Sequence, residues 1–209
     1  KISSGNIVKK EYTHQRPERV RAFIFNTRRA PLDDIRVRKA LSIALNFQQV
    51  NDLFYNGKFN RIKSYFPNSP LAHTGQPEGR ELEILLPFKD NLPQEVFSAS
   101  ASTQQDYDRR ASLRESMRLL RAAGYEIENQ TLVNSQTGKP LTLELLLTAS
   151  ADEKIALYYR EALQRLGIRL NIRTVDAAQF TGRLDQFDYD IVLYQWVNSL
   201  SPGNEQMNY

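Results

Sequence analysis

No cysteine occurs in the 209 residues, and that absence alone removes disulfide staples, zinc-thiolate sites and thiol nucleophiles. Histidine is nearly as scarce, with two in the chain. His14 and His73 are far apart in polar, proline-flanked segments and read as surface-loop residues rather than catalytic bases. Glycine-rich phosphate loops, G-x-S-x-G elbows and H-E-x-x-H pairs are all missing, so no reaction is named and no enzyme is expected. Asp188 and Asp190 flank Tyr189, and Asp33 adjoins Asp34, but no further ligand stands at useful spacing. Neither a metal nor a cofactor is therefore expected. No apolar run approaches the length that spans a bilayer. Lys1-Ile2-Ser3-Ser4-Gly5 lacks the charged-then-apolar opening of a signal peptide, so an exported protein would hold this chain as a processed or excised piece. The net charge of +4 is small, and Asp or Glu interrupts nearly every Arg-rich stretch, which argues against a nucleic-acid partner.

What remains is an ordinary globular composition, 41% hydrophobic and 25% charged, enough for one large domain or two small ones. A first strand fits Arg21 to Thr27. "NTRRAPLDDIRVRKAL" (26–41) then crowds basic residues around two aspartates and a proline. Pro31 and Asp33–Asp34 are helix-start signals, since carboxylates accept from the free amides of a first turn. Val37, Ala40, Leu41, Ala44 and Leu45 form one apolar stripe, which leaves Arg36, Arg38 and Lys39 off it, near the acids. The stretch reads as an ion-paired helix start rather than an anion site, with the helix continuing to Tyr55 and stopping near Gly57. Residues 60–80 read as a long loop carrying Tyr65 and Phe66. Alternation of Leu82, Ile84 and Leu86 predicts a strand. Residues 98–106, small and polar, read as a linker. A helix is expected from Asp108 to Ala123, closed by Gly124, and then a turn between short extended pieces over 125–140.

The last third is the most regular. Leu141, Leu143, Leu145 and Leu147 alternate, a helical stripe runs from Ile155 to Leu166, and Ile168, Leu170 and Ile172 alternate again. A short helix over 177–184 leads into "DYDIVLYQW". This β-α-β-α-β order predicts parallel strands with right-handed crossovers and a ligand beyond their carboxyl ends. Those ends include Thr148 to Ser150, Val175-Asp176, and Tyr194, Gln195, Trp196, Asn198 and Ser199. Trp196 is the sole tryptophan. It fits a ligand-facing position and a packing position equally well.

Taken together, the segments "FNTRRAPLDDIRVRKALSIALNFQQVNDLFYNGKF", "LLRAAGY" (119–125), "TGKPLTLELLL" (137–147), "LQRLGIRLNIRTVD" (163–176) and "FDYDIVLYQW" (187–196) resemble the family 5 extracellular solute-binding proteins, the peptide receptors of ABC importers. Asn26, Pro31, Asp34, Arg36, Val37, Arg38, Ala40 and Leu41 match the hallmark helix start. "RPERV" (16–20) and Asn91 to Phe97 are similar to the oligopeptide and microcin-C branch. The resemblance implies an α/β fold, a mixed sheet of five or six strands flanked by helices, like the second lobe of a two-lobed periplasmic binding protein. Residues 1–209 would be that single lobe, with 1–19 and 197–209 leading toward a missing first lobe. It further implies a monomeric, periplasmic or lipid-anchored receptor that binds extended peptides in an inter-lobe cleft and meets membrane permease subunits. The site residues expected on this basis are Trp196, Gln195, Asn198, Ser199 and Tyr194, with Tyr65 and Phe66 as further lining. In the resembled family an aspartate three residues after the tryptophan pairs with the peptide amine; here that position is the uncharged Ser199. A receptor for a glycoside or chelated metal on the same scaffold is the alternative, and a stand-alone enzyme or interaction domain is a weaker one.

Overall fold

The computed structural model describes residues 8, 10, 12–72, 75–98, 109–199 and 203–204. The chain divides into two compact units, a sheet unit (21–61 and 100–194) and a loop unit (1–20, 62–99 and 195–209).

The sheet unit is built on four strands in the order β1-β6-β4-β5: β1 Val20–Phe25, β4 Thr142–Leu147, β5 Arg169–Thr174 and β6 Ile191–Trp196. β4 and β5 run parallel, from Thr142 opposite Arg169 to Leu147 opposite Thr174. β6 lies parallel on the other side of β4, with Leu145 opposite Ile191. β1 is the antiparallel edge, since the Asn26 N–H just past its end donates to the Asp190 carbonyl just before β6 (2.9 Å). The expected β-α-β-α-β run is thus present, with β4 central. Four strands rather than five or six make this sheet, because β2 (Tyr125–Glu128) and β3 (Thr131–Asn134) pair with each other instead. Asn129 and Gln130 between them take φ of 48° and 65°, the left-handed pair that closes a tight hairpin.

Alternation in β4 explains the layers. Leu143, Leu145 and Leu147 face one side and pack with Val37, Ala40, Leu41, Leu120, Tyr159 and Leu163. Those partners come from α1 (Ile35–Ala44), α4 (Arg109–Ala122) and α5 (Glu153–Gln164). Leu146 faces the other side with Phe180, Tyr189 and Val192, under α6 (Ala177–Asp185). Polar groups on the larger side are satisfied in place: the buried Ser116 hydroxyl donates to the Ala40 carbonyl (2.9 Å) and the Tyr159 hydroxyl to that of Leu41 (3.0 Å). Burial pushes the Tyr159 phenol well above its ordinary pKa.

Two further expectations are corrected. The helix after residue 34 breaks, because Asn46 adopts φ 46° and its side chain caps a second helix, α2 (Phe47–Tyr55), by accepting from the Gln49 N–H. A local side-chain acceptor outcompetes continuation of the helix. The segment expected as a strand at Leu82–Leu86 is instead α3 (Gly79–Leu85) followed by a 3₁₀ turn over Leu86–Asn91. Its alternation is too short to exclude a helical turn, Pro87 suits the start of the next turn, and none of its residues is buried. Of the expected linker at 98–106 all but Ser98 lies outside the described residues, as does His73.

In the loop unit only Val20, Pro77 and Asn198 are buried among the described residues. Side-chain amides knit it instead: Asn68 Nδ2 donates to the carbonyls of His14 (3.0 Å) and Arg16 (2.8 Å).

Candidate functional site

The basic helix start is architectural. Asp34 caps α1 by accepting from the Arg36 N–H (2.7 Å), and its carboxylate also receives the Arg36 guanidinium (2.6 Å). That guanidinium holds the Asp34 carboxyl below the usual carboxylate range. Arg36 also reaches the Ala122 carbonyl at the end of α4, while Arg38 donates to the carbonyls of Leu32 and Asp33. Asn26, in the same motif, is 2% exposed. Its amide donates to the carbonyls of Phe187 and Tyr189 (2.9 and 2.8 Å), which holds the turn into β6 against the end of β1. Arg28 stacks over the Phe187 ring at 3.9 Å.

Asp188 and Asp190 sit on this amino end of the parallel strands, with arginine partners. Asp188 meets Arg29 (2.9 Å) and Arg183 (3.1 Å), and the hydrogen bond from Arg29, then the charge of Arg183, hold its carboxyl below the usual carboxylate range. Asp190 accepts from the Glu144 N–H (2.9 Å), and Glu144 in turn pairs with Arg183. A carboxylate already matched by guanidinium donors is a poor hard-cation ligand.

The opposite, carboxyl edge is where strand order turns. α5 and α6 cover different faces and β5 and β6 lie on different sides of β4, so this edge at β4 is a topological switch point, the usual ligand crevice of an open α/β sheet. Within the sheet unit the edge carries groups that sequence reading passed over. Arg21 at the start of β1 pairs with Asp152, which follows β4, and Thr174 Oγ1 donates to Glu153 (2.7 Å). Their only signal is position: "ADE" (151–153) opens the helix after a β4 whose end was expected to face ligand.

Five of the expected site residues, Tyr194, Gln195, Trp196, Asn198 and Ser199, fall at and beyond the end of β6, and Tyr65 and Phe66 lie in the long segment after α2. Tyr194, 36% exposed, is the last residue of the sheet unit. Gln195, Trp196, Asn198, Ser199, Tyr65 and Phe66 belong to the loop unit. Gln195 is exposed, while Trp196, Ser199 and Phe66 are half-buried. Tyr65 is 63% exposed. Asn198 is buried, and its amide donates to the main-chain carbonyls of Tyr65 and Glu18, both at 3.0 Å. The structure thus joins Asn198 to the Tyr65 main chain, with the Asn198 donor engaged in holding the loop.

The family described as "Bacterial extracellular solute-binding proteins, family 5 Middle" matches residues 3–209. The probable peptide-binding protein YejA of Agrobacterium fabrum is 41% identical over 91% of this chain and 31% of its own length. The peptidoglycan-binding protein YepA of the same species is 36% identical over 99% of this chain and 34% of its length. Among solved structures, the oligopeptide-binding protein AppA of Bacillus subtilis, in complex with a nonapeptide, aligns with a TM-score of 0.61. That alignment has 18% identity and covers 90% of this chain and 34% of AppA. The chain therefore spans about a third of the length of the curated relatives it matches.

Proposed function

Because this chain belongs to the bacterial extracellular solute-binding proteins of family 5, we propose that it forms one lobe of a periplasmic or lipid-anchored receptor that captures extended peptides for an ABC importer. The observation that carries the reading is a family match across residues 3–209, together with a 41% identical relative named as peptide-binding. The sheet unit is the body of this lobe. Its chain enters at Arg21 on β1 and leaves at Tyr194 on the adjacent β6, as a lobe inserted into a longer chain requires. Residues 1–19 and 197–209 are the connections toward the rest of the receptor, which supplies the other wall of the cleft and meets the permease subunits.

Chemically, a peptide receptor of broad range reads main-chain amides and tolerates varied side chains. Trp196 carries a large flat apolar ring, and Gln195 offers an exposed amide with donors and an acceptor. Ser199 presents a hydroxyl in place of a charge, so the peptide amine pairs elsewhere or is blocked. Asn198 acts by fixing the loop that carries Tyr65. The receptor binds and releases without chemical change.

Native mass spectrometry of the full-length receptor, purified without refolding, should find bound peptides; a glycoside or metal chelate in their place would overturn the reading. In the same receptor Trp196→Ala should weaken peptide binding by about 1–3 kcal/mol. A variant that melts earlier yet keeps its affinity would make Trp196 a packing residue.

A further inference from the structure

α4 carries a feature that peptide capture does not use. Arg110, Arg114, Arg118 and Arg121 all lie exposed on it, at spacings of four, four and three residues. On a helix that spacing draws one stripe of guanidinium groups about 16 Å long. Glu115 is the only acid of the helix and is taken by Arg118 (2.7 Å). Among the described residues no carboxylate pairs with Arg110, Arg114 or Arg121. Arg114, Arg118 and Arg121 surround an open recess of about 430 Å³ with Met117 in its lining. Leu113, Met117 and Leu119 are packed against the core beneath.

We propose that this stripe is a docking surface for the phosphate headgroups of an anionic lipid bilayer, which concentrates the receptor at the membrane. Guanidinium forks match phosphate oxygens bidentately, and each basic residue adds attraction near an anionic surface. A protein partner fits less well. Stable protein interfaces centre on desolvated apolar or aromatic anchors, and the large apolar side chains of α4 are already committed to the core. The same commitment rules out insertion, so α4 adsorbs by charge and does not embed. This proposal is independent of which solute the receptor carries.

The test is vesicle flotation of the full-length, non-lipidated receptor. Vesicles rich in phosphatidylglycerol should carry it up, pure phosphatidylcholine vesicles should not, and about 0.5 M salt should release it. The variant R110Q/R114Q/R118Q/R121Q should lose roughly tenfold or more in vesicle binding. Glutamine keeps helix propensity, so its melting temperature and peptide affinity should hold. The matching four-lysine variant should retain most of the binding, which guards against a folding artefact. Flotation unchanged in the glutamine variant, or absent in the wild type, would overturn the proposal. So would full release by millimolar glycerophosphate, which would indicate a small-anion site, or capture by an acidic protein surface without any affinity for vesicles.

Discussion

Gly167 shows how much a single residue can decide. It sits at φ 75°, and a Cβ there would meet Leu132 N at 2.7 Å and Ile127 Cδ1 at 3.0 Å. Its own carbonyl also accepts from the Leu132 N–H (2.9 Å), which ties the hairpin to the turn between α5 and β5. Gly167→Ala should therefore cost about 2–4 kcal/mol, from left-handed strain plus overpacking, read as a fall in the urea midpoint. Gly182 in α6 is the control. Nothing lies within 4 Å of its would-be Cβ, so alanine there should be neutral or stabilise by up to about 1 kcal/mol. Equal effects at both sites would show the contacts at Gly167 to be unimportant. Asn26 is the other decisive residue: Asn26→Ala leaves two carbonyls without their buried donor and should cost about 2–4 kcal/mol.

At the scale of the element, α1 depends on its first turn. Asp34 is held below its ordinary pKa by Arg36, so its contribution is complete above the unfolded carboxylate value and is lost as pH falls through the lower folded one. Asp34→Asn should thus be less stable than wild type above about pH 5, and the gap should close below about pH 4. A gap that stays constant across that range would mean the ion pair contributes nothing beyond the neutral cap. Removing the cap altogether in Asp34→Ala should cost about 1 kcal/mol, without altering peptide affinity in the full receptor. α2 shows how a single capping side chain divides a helical stretch. The apolar stripe of α1 does not run on, since its next positions are Gln48, Asn51 and Asp52, and Asn46 stops the first helix and starts the second with one side chain.

For the whole molecule, the hydrophobic core lies within the sheet unit, while the loop unit buries only three of its described residues. Hydrogen exchange on the 209-residue chain should find β4 and β5 amides among the slowest, and residues 62–72 and 75–98 among the fastest. Comparable protection in both would refute that division. The isolated chain should also bind peptide orders of magnitude more weakly than the intact receptor, since a cleft with one wall gives neither enclosure nor a full set of contacts. Micromolar binding by titration calorimetry on this chain alone would defeat the single-lobe proposal.

The alternation of Leu143, Leu145 and Leu147, the stripe of α5 and the cap at Asp34 were legible in the chain because each is set by neighbours within a few residues. That was enough to place three parallel strands, their carboxyl ends and the family. Other features depended on partners distant in sequence. The segment expected as a strand at Leu82–Leu86 is helical with none of its residues buried, and β2 and β3 closed on each other instead of joining the sheet. Asn26 looks like one polar residue among many until Phe187 and Tyr189 arrive 161 and 163 positions later. Position alone places Asn198 at the ligand edge, and only the fold shows its amide donating to the carbonyls of Glu18 and Tyr65. A side chain's type limits what it can bind, but its role depends on which buried carbonyl lies within 3 Å, and only tertiary packing determines that.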